Sequence, residues 1–217
     1  MSRKQPFIII GMHRSGTSLV TKVLEKAGIF MGVIKDHNFE AMHFLSLNQQ
    51  TLWSARARWL DPKVPEKQYY HTIPVRELYR EHFRLNTRFQ KLRNFIQNPA
   101  WGWKDPRNTF TLPMWLELFP KAKVIHVYRD GQEVSDSLKR RNHKPGEVFD
   151  PRLDDHEFNL QLWGAYLKQA RSYETMLGSR YIEINYADIK SGNTEAIARL
   201  EKFCGCQLVG LFAKYVR

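Results

Sequence analysis

The stretch Phe7-Ile-Ile-Ile-Gly-Met-His-Arg-Ser-Gly-Thr-Ser-Leu-Val-Thr-Lys-Val-Leu-Glu-Lys-Ala-Gly28 decides the fold. Residues 7–10 form a short apolar run of the kind a fully buried parallel strand needs. Gly11 breaks the run, and Met12, His13, Arg14 and Ser15 make a polar, basic connection to Gly16. Beyond it Leu19, Val20, Val23, Leu24 and Ala27 recur at helical spacing, with Gly28 as a stop signal. The pattern is strand, glycine-bounded loop, helix. It brings free backbone N–H groups, a helix dipole and the Arg14 guanidinium to one point, which suits a phosphate or sulfate. Gly11 and Gly16 have the spacing of a Walker A loop, yet Thr17-Ser18 stands where an ATPase carries Lys-Ser or Lys-Thr. Without that lysine, ordinary ATP or GTP hydrolysis is disfavoured. A βα turn with incidental glycines is the alternative reading.

The chain has 217 residues, 42% of them hydrophobic, with six Trp and a net charge of +12. These values fit one folded domain over residues 5–217 and polyanionic partners or substrates. Nucleic acid is among such polyanions, but the basic residues are scattered, with no Lys/Arg tail, so charge alone is a weak signal, and no nucleic-acid partner is expected. No apolar run near the start is long enough for a signal peptide or membrane span, and a cytoplasmic location is expected. Two cysteines, Cys204 and Cys206, supply neither a disulfide framework nor a structural zinc site. No cluster of metal-ligating residues is read from the sequence.

Further along, Phe39, Met42, Phe44, Leu45, Leu47 and Leu52 predict a helix running from residue 39 towards 59, on which Glu40 and His43 share a face. That face either offers a carboxylate and an imidazole for proton transfer or is a solvated helix start. Residues 61–74, with three prolines, read as a loop, and a long helix is expected over 75–96. Trp101-Gly-Trp-Lys-Asp-Pro-Arg-Asn108 reads as a strand that delivers Lys104 and Arg107 to a sheet edge, with Asp105 orienting one of them or forming a structural ion pair. A short helix is predicted over 112–119. Residues 124–128 form the clearest second strand, running into Arg129-Asp-Gly131 and a helix over 132–141 that carries Ser137. Asp154 or Asp155 caps the next long helix, and residues 181–184 make a third strand. Strands separated by helices predict an α/β fold, a single parallel sheet flanked by helices on both faces. Ligands of such sheets bind at the carboxyl edge.

The loop over residues 11–18 resembles the 5′-phosphosulfate loop of sulfotransferases that use 3′-phosphoadenosine 5′-phosphosulfate (PAPS). Val127-Tyr-Arg-Asp-Gly-Gln-Glu-Val-Ser-Asp-Ser137 is similar to that family's 3′-phosphate motif. Trp103-Lys-Asp-Pro106 resembles a segment of tyrosylprotein and related bacterial sulfotransferases, and Ile184-Asn-Tyr-Ala-Asp188 a strand-end segment of the superfamily. The resemblance implies a P-loop-like sulfotransferase fold. It implies that His13, Arg14, Ser15, Gly16, Thr17 and Ser18 surround the 5′-phosphosulfate, and that Arg129 and Ser137 hold the 3′-phosphate. Lys104 contacts the migrating sulfuryl group or the bridging oxygen, and Tyr186 frames the adenine unless it is simply a core tyrosine. Transfer is in line, to a hydroxyl of a glycan, peptide or small metabolite, leaving 3′-phosphoadenosine 5′-phosphate (PAP). No metal is implied. Small-molecule sulfotransferases have a His base two residues after the matching lysine, where this chain has Pro106. The resemblance to the tyrosylprotein group points instead to Glu40, with His43 and Asp105 behind it. The family's basic C-terminal loop has no match after Gly205; either residues 139–144 substitute for it, or cofactor binding is weaker and more open. The competing readings are a P-loop kinase-like phosphotransferase and a non-catalytic basic module that binds polyanions.

Overall fold

The computed structural model describes residues 5–83 and 100–215. The apolar run becomes β1 (Phe7–Ile10), buried at every position, because it is paired on both sides. On one side lies β2 (Gly102–Lys104) and on the other β3 (Lys123–Tyr128), which in turn pairs with β4 (Tyr181–Asn185). All pairings are parallel, with Ile8 opposite Trp103 and Val124, and Ile9 opposite Lys104 and Ile125. The order β2-β1-β3-β4 reverses direction at β1. Such a reversal opens a crevice outside the carboxyl ends of the neighbouring strands.

Alternation along the strands divides the core in two. Ile9, Ile125, Val127, Ile182 and Ile184 face α1 (Thr17–Lys26), α9 (Thr194–Cys204) and α10 (Val209–Tyr215) through Val20, Leu24, Leu200 and Phe212. Ile8, Ile10, Trp103 and Val124 face α2 (Met42–Ser54), α3 (Val75–Phe83) and α4 (Asn108–Leu118) through Phe44, Leu78 and Trp115. The Phe44 and Trp103 rings stack with centroids 4.0 Å apart. A third cluster, with Met12, Leu138, Leu162 and Tyr166, joins the loop after β1 to α5 (Gly131–Asn142) and α6 (His156–Arg171). Asp155 caps α6, accepting from the N–H groups of Glu157 and Phe158. Two short helices, α7 (Glu174–Leu177) and α8 (Tyr186–Ser191), flank β4. None of the described helices is long and apolar enough to cross a membrane.

Three expected helix limits shift. The second helix begins at Met42, not Phe39, because Phe39 sits at φ +63° and Asp36 Oδ1 takes the Glu40 N–H at 2.7 Å. It ends at Ser54, and Arg56 at φ +53° turns the chain away. Glu40 therefore precedes the helix and shares no helical face with His43. The helix expected at 112 starts at Asn108, where Pro106 and Asp105 open it: Asp105 Oδ1 accepts the Arg107 N–H at 2.9 Å. Pro113 lies inside that helix and cannot donate to the Thr109 carbonyl. The Tyr173 hydroxyl donates to that carbonyl instead, at 3.0 Å. The helix expected over 75–96 is seen to Phe83; Leu85, Phe89, Leu92 and Ile96 lie outside the described residues.

Candidate active site

The loop after β1 is shaped by backbone that few residues other than glycine adopt. Gly16 has φ +94°, and a Cβ there would sit 2.1 Å from Cδ2 of Tyr186. A Cβ on Gly11 would lie 2.2 Å from the Val127 carbonyl oxygen. Ser15 turns inward, donating its hydroxyl between the Met12 and Val127 carbonyls at 2.7 and 2.9 Å, and so ties the loop to β3. Its hydroxyl is consumed by the fold. Helix α1 then starts at Thr17 with no side-chain cap. Its first N–H groups therefore point out of the helix end, unsatisfied and carrying the positive end of the dipole.

That helix end opens into a cleft lined by His13, Arg14, Gly16, Thr17, Ser18, Asn38, Glu40, Lys104, Arg129, Arg141 and Tyr186. Four of these carry positive charge, and Glu40 is the only acid among them. Arg14, at φ +69°, donates from Nε to Ser137 Oγ at 2.9 Å. Ser137 is itself buried and stands behind Arg14, outside the cleft lining. Arg129 leaves the carboxyl end of β3, places its guanidinium 4.9 Å from the Tyr186 ring centre and donates to Glu133 at 2.6 Å. Arg141 is paired with Glu147. The Ser18 hydroxyl donates to the Asn38 carbonyl at 2.7 Å, which pins the segment before α2 against α1. Glu40 follows two residues later.

At the floor of the cleft, Lys104 ends β2 with 0% exposure and donates to Glu40 Oε1 at 3.1 Å. The second oxygen of Glu40 accepts from Arg107 Nη1, also at 3.1 Å. Arg107 is shared with Asp105 Oδ1 at 2.9 Å. Burial, with Asp105 nearby, pushes the Glu40 carboxyl above its usual range, although Lys104 and Arg107 pull the other way. Arg107 is held in its charged form by Asp105 and Glu40 against the cost of burial. Burial and the surrounding Arg107, Arg141, Lys104 and Arg14 keep His13 neutral, with its pKa well below the usual value; its Nε2 is buried without a partner among the described residues.

Behind this layer Asn48 saturates its amide. Its Nδ2 donates to Asp105 Oδ2 at 2.9 Å and Asn108 Oδ1 at 2.8 Å; its Oδ1 accepts from Thr111 at 2.6 Å and Trp115 at 2.8 Å. Asn108 in turn donates to the Ile9 carbonyl at 3.1 Å. Asp105 is thus spent on positioning Arg107. His43 lies in a different pocket, beside Met42, Ser46 and His82, away from Lys104. Of the three candidate bases, Glu40 alone lines the cleft. Arg107 carried a signal in the sequence, three residues after Lys104; Asn48, a polar residue within an apolar helix pattern, carried none.

Comparison with known proteins bears on the family and the fold. The model of the sulfotransferase family matches residues 6–209. An uncharacterized protein of Aquifex aeolicus is 25% identical over 219 aligned positions, which cover 93% of this chain; the chain spans about a quarter of that relative's length. Among solved structures, sulfotransferase STF1 of Mycobacterium tuberculosis superposes with a TM-score of 0.52 at 12% identity, over 99% of this chain and 71% of that one. Sulfotransferase STF9 of Mycobacterium avium gives 0.53 at 14%, over 100% and 68%. The sulfotransferase domain of the curacin biosynthetic pathway gives 0.54 at 17%, over 93% and 74%. At such identities the structural likeness speaks for the fold, and the family match over most of the chain carries the assignment: this chain belongs to the sulfotransferase family.

Proposed function

We propose that the protein transfers the sulfuryl group of PAPS to a hydroxyl of its acceptor. The observation that carries this reading is the buried Glu40–Lys104 pair at the floor of a cationic cleft, beside an uncapped helix N-terminus. The residues present fit a ligand with anionic groups at two separated points. The N–H groups of Gly16, Thr17 and Ser18, together with Arg14 and Lys104, would hold the 5′-phosphosulfate. Arg129 would take the 3′-phosphate, with Tyr186 beside it as a flat surface for the adenine. Ser137, buried behind Arg14, accepts from its Nε and so orients that guanidinium instead of meeting the phosphate itself.

Bound PAPS supplies an activated sulfuryl group for in-line transfer. The protein's part is positioning and charge. Lys104 and Arg14 offset the negative charge that grows on the departing phosphate. Glu40 accepts the proton of the attacking hydroxyl, and its raised pKa brings its basicity closer to that task. Arg107, itself fixed by Asp105 and Asn48, keeps the Glu40 carboxylate oriented. His13, held neutral, adds no fifth charge to the cleft.

A thermal-shift titration tests the donor assignment, with PAP run beside ADP and ATP at fixed salt. At a hundredfold excess over Kd, PAP should add about 2.7 kcal/mol of apparent stability. For a chain of this size that raises Tm by about 5–10 °C. The shift should be larger for PAP than for ADP, and Arg129→Ala should abolish the difference. Equal shifts for PAP and ADP, or selectivity that survives Arg129→Ala, would remove the 3′-phosphate assignment. A preference for ATP would favour phosphotransfer.

A further inference from the structure

Glu40 is the one acid that lines the cationic cleft, but a second acid holds one of the cleft's arginines from outside. Arg141, near the end of α5, donates from Nε to Glu147 Oε2 at 2.8 Å, and its Nη2 meets the same oxygen at 2.6 Å. The two side chains are only 24% and 22% exposed, so the contact is stronger than an ordinary surface pair. Among the described residues Glu147 is the only acid paired with Arg141.

The segment that carries Glu147 is fixed at its base and loosely packed at its tip. At the base, buried Asn142 donates to the Asp150 carbonyl and accepts the Asp150 N–H, both at 2.9 Å. It also donates to Asp154 Oδ1 at 3.0 Å, an oxygen that His143 Nε2 meets at 2.7 Å. Between these anchors Lys144-Pro-Gly-Glu147 makes a tight turn, with Gly146 at φ +84° and the Glu147 N–H donating to the Lys144 carbonyl at 3.2 Å. Val148 and Phe149 are 89% and 55% exposed, so little apolar packing holds the tip. Its ionic tie to α5 is Glu147.

The Glu147 carboxylate acts on both sides of the cleft mouth. Its hydrogen bonds from Arg141 hold its pKa below the usual carboxylate range against partial burial, and His37 and Arg14 pull the same way. His37 belongs to the segment that carries Asn38 and Glu40, whereas Arg14 belongs to the loop after β1. Burial and Arg141 disfavour the charge on Arg14, and Glu147 favours it. One internal carboxylate thus serves two of the cleft's cations.

We infer that Glu147 is a latch that competes with the anionic donor for Arg141 and Arg14. A carboxylate oxygen and a phosphate oxygen call on the same Arg141 donors, so the cleft offers its full cationic set only when the latch opens. Apparent affinity is lowered by the fraction of time the latch is closed, for PAPS and for the product PAP alike. The inference rests on the sulfotransfer reading.

The test is calorimetric titration of the full chain with PAP at fixed ionic strength. Glu147→Gln should bind PAP about five- to tenfold more tightly than the parent. Glu195→Gln makes the same charge change on exposed α9, and it should alter the affinity by less than about twofold. Arg141→Ala should weaken binding, and adding Glu147→Gln to it should recover less than about twofold, because the latch acts through that arginine. The latch is overturned by unchanged or weaker PAP binding in Glu147→Gln, by an equal gain in Glu195→Gln, or by a full gain in the Arg141→Ala background. PAP binding absent from both the parent and Glu147→Gln would instead overturn the donor reading. Binding that is present in the parent but indifferent to Glu147 would leave that reading standing and remove the latch alone.

Discussion

Glu40→Gln separates chemistry from architecture because it removes one charge and almost no volume. Each Glu40 oxygen accepts from a cation at 3.1 Å. The two cations are not equally dependent on it. Arg107 keeps Asp105 at 2.9 Å, whereas Lys104 is fully buried and Glu40 is its only acidic partner among the described residues. Deleting one member of a buried pair costs about 3–5 kcal/mol. The glutamine carbonyl still accepts from Lys104, so about 2 kcal/mol is expected here, a Tm loss of about 4–8 °C.

Turnover should fall much further, by about a hundred- to ten-thousandfold, as for a lost general base. Binding of PAP should be retained or tightened, because an anion beside Lys104 replaces the missing charge. The ligand would then raise the variant's Tm by more than it raises that of the parent. The pH profile supplies a further check. The parent must be deprotonated at Glu40, so its rate should fall as pH drops through the raised carboxyl pKa, and the variant's residual rate should lack that limb. Thermal denaturation with and without PAP, and single-turnover assays with PAPS, measure all of this. Unchanged turnover in Glu40→Gln would refute the base assignment. Loss of PAP binding together with stability would make Glu40 a structural residue.

Gly16→Ala puts a methyl 2.1 Å from Tyr186 Cδ2 at φ +94°; it should cost about 1–3 kcal/mol and abolish the PAP-induced shift, and a normal shift would detach Tyr186 from the phosphate loop. Asn48→Ala leaves four hydrogen-bond partners short and should lower stability by about 3 kcal/mol in urea titration; a loss no larger than that of a surface substitution would refute its role as the hub. At the edge strand, Glu183 is partly buried, which raises its pKa, but hydrogen bonds from His126 and Arg171 hold it down to about 2. A carboxylate with a depressed folded pKa stabilises above its unfolded value and loses that contribution as pH falls towards about 2. Glu183→Gln should therefore lose about 1–2 kcal/mol at neutral pH, after allowance for solvent screening, and show a flatter acid limb. Parallel stability curves for the two proteins would contradict this.

The two strand–turn–helix units that follow β1 and β3 were legible in the sequence because their determinants are local. An aliphatic run, a glycine at a left-handed turn and a helical apolar period each act within a few residues, and the same is true of the Asp155 cap on α6. The helix starts that differ from the sequence expectation, at Met42 and Asn108, depend on less local facts. Phe39 adopts a left-handed conformation in a segment held by Asp36 and by Ser18, and Pro113 is tolerated because Tyr173, sixty-four residues from Thr109, takes up the freed carbonyl.

The sequence by itself determined a parallel α/β sheet, a basic glycine-bounded loop and the residue types available to it. Only the tertiary structure decided how those residues are used. It joined Lys104 to Glu40 across sixty-four positions and Arg14 to Ser137 across one hundred and twenty-three, turned the Ser15 hydroxyl into the fold, and set His43 in another pocket. The physical reason is the order β2-β1-β3-β4, which gathers three strand ends from distant parts of the chain at one edge. Local propensity places each loop on its own strand, but which side chains meet there follows from which strands are neighbours.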